Sequence, residues 1–199
     1  MAIKCVIFDL DGTITEPLLD FEVIRAEIGI EHESLSLLEV MESMTDQQRK
    51  MAMEILERHE DLAAENSTLN RGARQILDLL KRSSISVGIL TRNKKNNVTV
   101  VARKHGLHFD AIYAREDGPV KPDAYGVIHL CKMFGCLPSE SLVVGDFVHD
   151  LMSAKAAGAV SVLIKTHKNA DQFTEFADYS IKSLDMIPQI IEQLQQNRV

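Results

Sequence analysis

The stretch IKCVIFDLDGT, at Ile3–Thr13, decides the fold. Its apolar run VIF ends in two aspartates one residue apart, Asp9 and Asp11. A short run of β-branched and aromatic residues is typical of a strand buried on both faces, as strands of a parallel sheet usually are. Because ligands of open α/β sheets bind at the carboxyl ends of the strands, we expect both carboxylates at a functional edge. Two acids this close suit a hard cation, or a nucleophile with an acid/base partner, but they could also cap a helix or lie in a solvated turn.

Composition limits the class of protein. The chain has 199 residues, of which 45% are hydrophobic and 26% charged, as in an ordinary globular protein with a sizeable core. The net charge of −7 argues against a nucleic-acid or acidic-lipid surface. No apolar run reaches the roughly 18 residues of a membrane span, and a strand that starts at Ile3 leaves no room for a signal peptide. We therefore expect a cytoplasmic protein.

The three cysteines, Cys5, Cys131 and Cys136, are odd in number and have no CxxC spacing. This pattern favours buried, reduced thiols over a structural disulfide or a zinc site. Reduced thiols fit the same compartment.

Residues 15–70 have helical periodicity and no convincing strand. They hold 14 acidic and 4 basic residues, whereas the rest of the chain holds 15 acidic and 18 basic ones. An acidic helical insert is therefore expected on a mildly basic body. The predicted helices are Phe21–Ile28, with Asp20 as N-cap and Gly29 at its end, then Ser34–Met44, and a third from the capping-box pair Thr45 and Gln48 to about Glu65, which should bury Met51, Ile55 and Leu62.

From residue 72 onward, helical and strand patterns alternate. This alternation predicts an α/β fold, a doubly wound parallel sheet with helices on both faces. The predicted strands cover residues 85–90, 109–113, 142–144, 160–164 and 179–181. The predicted helices cover residues 72–82, a segment up to about His105 closed by Gly106, a segment that starts at Pro122 and ends near Gly135, a short one up to Gly158, and residues 188–195.

Several polar side chains follow the predicted strand ends. Parallel connections bring these ends to one edge of the sheet, so one hydroxyl, one ammonium and four carboxylates would share a cleft. Carboxylates at that density repel one another unless a cation neutralises them, and Mg²⁺ held by carboxylates and a substrate phosphate fits. Phosphoryl transfer needs an in-line nucleophile and positive charge around the phosphoryl oxygens. The side chains that follow strands are Asp9, Asp11, Thr91, Asp146 and Asp150, and the ammonium is that of Lys121, in the loop before a predicted helix.

Four pieces of the chain together resemble the haloacid dehalogenase (HAD) superfamily of phosphohydrolases. They are DLDGT at residues 9–13, ILTRN around Thr91, VKPD around Lys121, and VGDFVHD at residues 144–150. The resemblance is closest to the phosphoglycolate phosphatase-like members. It implies a Rossmann-like HAD core of residues 1–14 and 71–199, with a small inserted α-helical cap of residues 15–70.

The resemblance also implies catalytic roles. Asp9 would be the nucleophile that forms a phospho-aspartate. Asp11 would be the general acid/base that protonates the leaving alcohol and later deprotonates the attacking water. The dehalogenases that name the superfamily do not carry this second aspartate, so Asp11 favours phosphate-ester chemistry.

The remaining motif residues would bind phosphate and metal. Asp150 would either be a second acidic ligand beside Asp146 or orient the lysine. His149, between these two aspartates, is interpreted as a partly exposed loop histidine rather than a ligand. The implied phosphate-binding residues are Thr91, Arg92 and Lys121, and the implied Mg²⁺ ligands are Asp9, the backbone carbonyl of Asp11, Asp146 and Asp150.

Other functions remain open. A phosphomutase of the β-phosphoglucomutase kind uses the same core but needs cationic residues in its cap, where this chain has only Arg25, Arg49, Lys50 and Arg58. A phosphonate hydrolase would need a Schiff-base lysine in the cap, for which Lys50 is the sole candidate. Two non-enzymatic alternatives are a phospho-accepting receiver module and an interaction module whose acidic insert docks a basic partner.

The expected partner is a small phosphorylated metabolite, with neither nucleic acid nor membrane, bound by a monomer or weak homodimer. The acidic insert should repel polyanionic leaving groups, so we expect substrates with one phosphate and little further negative charge. A phosphocarboxylate would require Arg25, Arg49 or Arg58 to turn inward. The insert, joined by two short connections, is expected to rock as a lid.

Overall fold

A six-stranded, all-parallel sheet forms the centre of the computed structural model, which describes residues 2–30 and 36–196. The strands are β1 (Cys5–Phe8), β2 (Ser86–Leu90), β3 (Ala111–Tyr113), β4 (Ser141–Gly145), β5 (Val160–Ile164) and β6 (Tyr179–Ile181). Their order is β3-β2-β1-β4-β5-β6, so β1 lies between β2 and β4. The predicted doubly wound α/β sheet is confirmed.

Helices connect these strands, and none of those in residues 2–30 and 36–196 is long and apolar enough to cross a membrane. In the part of the chain that the structure describes, the first three helices follow one another without a strand between them. The next four alternate with the strands as predicted, and the last follows the final strand. The helices are α1 (Phe21–Ile28), α2 (Leu37–Glu42), α3 (Asp46–Asn66), α4 (Ala73–Arg82), α5 (Lys95–His105), α6 (Tyr125–Met133), α7 (Val148–Ala157) and α8 (Ile187–Gln196).

Local capping explains where several helices begin and end. The Asp20 carboxylate accepts from two backbone N–H groups at the start of α1, and Gly29 ends that helix in the left-handed conformation. The predicted capping box of Thr45 and Gln48 opens α3. The predicted start at Pro122 is wrong: α6 begins three residues later, where the Tyr125 N–H donates to Asp123 Oδ1 at 2.7 Å.

The second helix is shorter than predicted at its C-terminal end. It ends at Glu42, because the Ser43 hydroxyl donates to the Val40 carbonyl at 2.8 Å and the chain turns. Its N-cap is Ser36, which forms a capping box with Glu39. The predicted start of this helix, Ser34, lies outside the described residues.

The sheet separates two apolar layers, and β1 contributes to both. Val6 and Phe8 pack in the layer that contains side chains of α4, α5 and α8. Cys5 and Ile7 pack in the layer that contains side chains of α6 and α7. All four residues of β1 are fully buried, which confirms the strand expected from the opening stretch.

The three helices α1 to α3 share an apolar cluster of their own, formed by Ile24, Leu37, Met41, Ala52 and Leu56. Two of the three residues predicted to be buried on α3 are exposed, and the third, Ile55, is half-buried. Met51 and Leu62 are 58% and 51% exposed, and the buried positions are Ala52, Leu56, Glu60, Ala63 and Ala64. Small alanine side chains let α3 approach its neighbours closely, and the one acidic residue on that face has a cationic partner.

Candidate active site

Three carboxylates meet at the carboxyl edge of the sheet. Asp9 follows β1, Asp146 follows β4, and Asp150 lies in the first turn of α7. One carboxylate oxygen of each lies within 4.8 Å of the others, and all three residues are buried. The Asp9 N–H donates to the Val144 carbonyl at 2.9 Å, so the ladder between β1 and β4 continues into the site. The register of β1 against β4 therefore sets the spacing between Asp9 and Asp146.

The ammonium of Lys121 lies between two of these acids. Its Nζ donates to Asp9 Oδ1 at 2.5 Å and to Asp150 Oδ1 at 2.6 Å, and its side chain is only 4% exposed. The other oxygen of Asp150 accepts from the Phe147 N–H at 3.1 Å. Both oxygens of Asp150 thus have partners, and one of them holds the ammonium against Asp9.

Asp11 is not one of the three grouped acids and has a partner of its own. Its Oδ2 accepts from Asn93 Nδ2 at 2.9 Å. The Asn93 N–H in turn donates to the Thr91 hydroxyl at 3.0 Å, and the Thr91 N–H donates to the Tyr113 carbonyl at 3.0 Å. The end of β2 therefore positions both a hydroxyl and the partner of the second aspartate.

Gly12 allows the loop after Asp11 to pass beneath Asp146. Its φ is +85°, and a Cβ there would lie 2.2 Å from Asp146 Oδ2. The Gly12 carbonyl accepts from Asn70 Nδ2 at 2.8 Å and from the Thr166 hydroxyl at 2.5 Å. Only glycine combines this positive φ with this close approach.

Burial sets the electrostatics of the cluster. It raises the pKa of Asp9 to about 7, with the Asp150 and Asp11 carboxylates acting in the same sense and the Lys121 ammonium opposing. Burial likewise raises the pKa of Asp146 well above its usual range, and it raises the pKa of Asp11 against the opposing hydrogen bond from Asn93. Burial alone would lower the pKa of Lys121, but the carboxylates of Asp150 and Asp9 raise it. The site thus holds more buried acid than its lysine compensates.

Arg92 is held at the rim of the site. Its Nη1 donates to His149 Nδ1 at 2.6 Å, and its Nη2 donates to the Ser36 hydroxyl at 3.0 Å. Burial, together with the Arg92 charge, lowers the pKa of His149 to about 4, so this ring accepts as a neutral imidazole at physiological pH. The guanidinium therefore links the residue after Thr91 to Ser36, the N-cap residue of α2. His149 is half-buried in α7 rather than in a loop.

The family model for a haloacid dehalogenase-like hydrolase matches residues 3–158. The chain belongs to this family. The match spans every residue of the cluster just described, from Asp9 to Asp150. The resemblance noted from the four motifs is thereby confirmed.

Individual relatives agree with the family match. The chain is 30% identical over 201 residues to an uncharacterized hydrolase of Saccharomyces cerevisiae, covering 96% of this chain and 92% of the relative. It is 28% identical over 212 residues to a phosphoglycolate phosphatase of Chromobacterium violaceum, covering 92% and 93%. A crystal structure of a hydrolase from Pseudomonas syringae has the same fold, with a TM-score of 0.81 at 20% identity over 95% and 98% of the two chains.

The predicted site residues of this HAD-like hydrolase occupy two neighbouring groups. Asp9, Lys121, Asp146 and Asp150 form one, and Asp11 with Thr91 lies beside it through Asn93. Asn93 lies within the ILTRN motif but is not among the predicted site residues, because nothing in a linear pattern shows that its amide reaches Asp11.

Two arginines of residues 15–70, Arg49 and Arg58, are bound by other groups of the protein. Arg49 donates to the carbonyls of Met41, Glu42 and Met44, and so stabilises the C-terminal end of α2. Arg58 forms an ion pair with Glu27. With these partners, neither arginine is free to bind a substrate carboxylate in this conformation. This argues against a phosphomutase, which needs cationic residues in its cap.

Proposed function

We propose that this chain is a Mg²⁺-dependent phosphatase that hydrolyses a small phosphomonoester through a phospho-aspartate on Asp9. The observation that supports this most is the position of the Lys121 ammonium, 2.5 Å from Asp9 Oδ1 and 2.6 Å from Asp150 Oδ1, beside the buried carboxylate of Asp146. A carboxylate that can act as nucleophile, an ammonium that can bind phosphate and hard oxygen ligands for a cation thus lie close together at the sheet edge, which supports the proposal.

The donor set fits Mg²⁺. Asp9, Asp146 and the backbone carbonyl of Asp11 would hold the ion, and Asp150 would orient Lys121, since both of its oxygens already have hydrogen-bond donors. The raised pKa of Asp9 and of Asp146 indicates buried negative charge that a divalent cation would offset. When bound, the ion supplies positive charge at the phosphoryl oxygens and lowers repulsion between phosphate and carboxylates.

In the first step Asp9 attacks phosphorus. The bond between its carboxylate oxygen and phosphorus forms as the bond to the ester oxygen breaks, and Asp11 gives its proton to the departing alkoxide. The raised pKa of Asp11 suits an acid that must be protonated before this step. Lys121 and the Thr91 hydroxyl bind the phosphoryl oxygens.

In the second step water cleaves the acyl phosphate. Asp11, now a carboxylate, takes a proton from the water, and the water oxygen bonds to phosphorus while Asp9 is released. The Asn93 amide keeps Asp11 at one position through both steps, because it donates to Oδ2 at 2.9 Å. One residue can therefore act as acid and then as base.

The insert and the environment follow from the same proposal. Residues 15–70 would form a cap over a core of residues 1–14 and 71–199, with Arg92 reaching from the core to Ser36. The substrate would be a small phosphorylated metabolite, such as the phosphoglycolate that the Chromobacterium relative is named for. Three free thiols suit the reducing cytoplasm.

Turnover of p-nitrophenyl phosphate and of a panel of phosphorylated metabolites tests the proposal. We expect hydrolysis with Mg²⁺, none in excess chelator, and poor activity with Ca²⁺, whose looser coordination would misplace the nucleophile. Asp9→Asn should fold but lose detectable turnover, because an amide cannot attack phosphorus. Asp20→Asn is the matched control, since it removes a carboxylate that caps α1 and is not one of the proposed site residues. Full activity in chelator, or in Asp9→Asn, would contradict the mechanism.

A further inference from the structure

Three cysteine sulfurs meet at the opposite end of the sheet from the acidic cluster. Cys5 begins β1, Cys131 lies in α6, and Cys136 lies in the loop before β4. One sulfur from each lies within 4.8 Å of the others. The sulfurs of Cys5 and Cys136 are 3.4 Å apart, and all three thiols are free. Residues distant in sequence thus form one thiol cluster.

The cluster is enclosed but not sealed. Cys5 and Cys131 are 0% and 1% exposed, whereas Cys136 is half-buried and lies between exposed neighbours in its loop. Cys136 therefore forms the side of the cluster that is open to solvent, from which an ion would approach. Within residues 2–30 and 36–196, no fourth Cys, His, Asp or Glu joins the three sulfurs.

We propose that Cys5, Cys131 and Cys136 form a three-coordinate thiolate site for a soft monovalent d¹⁰ cation of the Cu(I) type. A metal–sulfur bond of about 2.3 Å in a planar three-coordinate site places the sulfurs about 4 Å apart, which lies within the spacing found here. Thiolates select soft ions such as Cu(I), whereas structural Zn²⁺ takes four ligands and would lack one. Each thiol that binds loses its proton to solvent.

Convergence of three sulfurs favours an ion over a disulfide. A disulfide between Cys5 and Cys136 would leave the Cys131 thiol beside it without a bonding role. The Cys136 sulfur lies 3.4 Å from the Cys5 sulfur and donates to the Cys131 carbonyl at 3.6 Å, so both of its contacts are with residues of the cluster. The site does not depend on the phosphatase proposal, because it lies at the other end of β1 from Asp9.

Anaerobic titration of the reduced full-length protein with Cu(I), in competition with bathocuproine disulfonate, tests the site. We expect one equivalent of Cu(I) to be retained against the chelator, with sulfur-to-metal charge-transfer absorption. Bound Cu(I) should also raise the melting temperature, because it binds only the folded arrangement of the three sulfurs. All three readouts are independent of hydrolytic activity.

Cys136→Ser is the main variant, since a half-buried loop position tolerates serine, and Cys131→Ala is the second, since alanine suits a helix. Both should lose the retained equivalent and the thermal shift. Met133→Leu is the matched control, because it removes an exposed sulfur three residues from Cys136. Unchanged Cu(I) retention in both cysteine variants overturns the proposal. So does preferential uptake of Zn²⁺ by the wild-type protein.

Discussion

Glu60 and Arg115 form a bidentate ion pair that joins α3 to the body of the protein. Glu60 Oε1 accepts from Arg115 Nη1 at 2.9 Å, and Oε2 accepts from Nη2 at 3.0 Å. Glu60 is buried, and Arg115 Nη1 also donates to the Arg92 carbonyl at 3.1 Å. If α3 moves as part of a lid, this pair must break and both charges must be solvated again.

Replacing Glu60 should change how stability depends on pH. Burial raises the pKa of Glu60 to about 7 despite the attraction of Arg115, whereas an unfolded glutamate titrates near 4.3. The folded state therefore binds more protons between these values, and the contribution of Glu60 to stability is lost as pH rises through about 7. Between pH 5 and pH 8 the free energy of unfolding should fall less in Glu60→Gln than in the wild type, by roughly 1–3 kcal/mol.

Chemical denaturation at several pH values measures this difference. Glu54→Gln is the control, because Glu54 lies on the same helix but is exposed and should leave the pH profile unchanged. Parallel profiles for the wild type and Glu60→Gln would mean that the ion pair keeps Glu60 charged throughout this range.

Lys121→Met should lower kcat/KM by roughly 10²–10³-fold, because it removes the ammonium that contacts Asp9 and would neutralise the phosphoryl oxygens. Methionine keeps much of the side-chain volume, so circular dichroism should show an intact fold. Lys132→Met, at an exposed position of α6, should retain wild-type kinetics. More than a tenth of wild-type kcat/KM in Lys121→Met would remove Lys121 from the proposed site.

Asp11→Asn should separate the two steps of the reaction. A substrate with a good leaving group, such as p-nitrophenyl phosphate, needs little proton donation and should still phosphorylate Asp9. We expect a burst of about one equivalent of nitrophenol followed by slow turnover, whereas alkyl phosphates should lose roughly 10²–10⁴-fold in rate. Stopped-flow absorbance measures the burst, and equal losses for aryl and alkyl esters would argue against an acid/base role.

Gly12→Ala should disable the site through contact with Asp146. Gly12 and Gly29 have nearly the same φ, +85° and +84°, but a Cβ on Gly12 would lie 2.2 Å from Asp146 Oδ2, whereas a Cβ on Gly29 has nothing within 4 Å. Both alanine variants should lose about 1–2 kcal/mol of stability from backbone strain. Only Gly12→Ala should lose activity and bind Mg²⁺ more weakly, so that more Mg²⁺ is needed for half-maximal rate. Equal activity of the two variants would show that catalysis does not require Asp146 at its present position.

Capping residues and strand ends were readable from the sequence because their physics is local. Asp20, the Thr45–Gln48 box and Gly106 satisfy backbone groups one turn away, so residue type and spacing were sufficient. The positions of the candidate site residues could be predicted for a related reason. A parallel sheet brings all its carboxyl ends to one edge, and Asp9, Thr91 and Asp146 each follow a strand.

The buried face of α3 was not readable. Met51 and Leu62 are the larger apolar residues, yet Ala52 and Glu60 face inward. Hydrophobicity alone predicts that methionine and leucine are buried. Which face of α3 packs also depends on how closely a neighbouring element can approach, and on whether a cation such as Arg115 can pair with the buried carboxylate. Both conditions depend on the elements that pack against α3, and the sequence of the helix itself does not indicate them.

The sequence by itself determined the α/β class, the order of the strands along the chain and the residues available for chemistry, because periodicity and chain connectivity carry that information. The tertiary structure alone decided which of those residues touch. Asp150 turns to Lys121, Asn93 to Asp11, and Cys5 lies 3.4 Å from Cys136 across 131 residues of chain. Such contacts depend on the register of β1 between β2 and β4 and on the packing of helices against both faces, and these are properties of the assembled sheet rather than of any one segment.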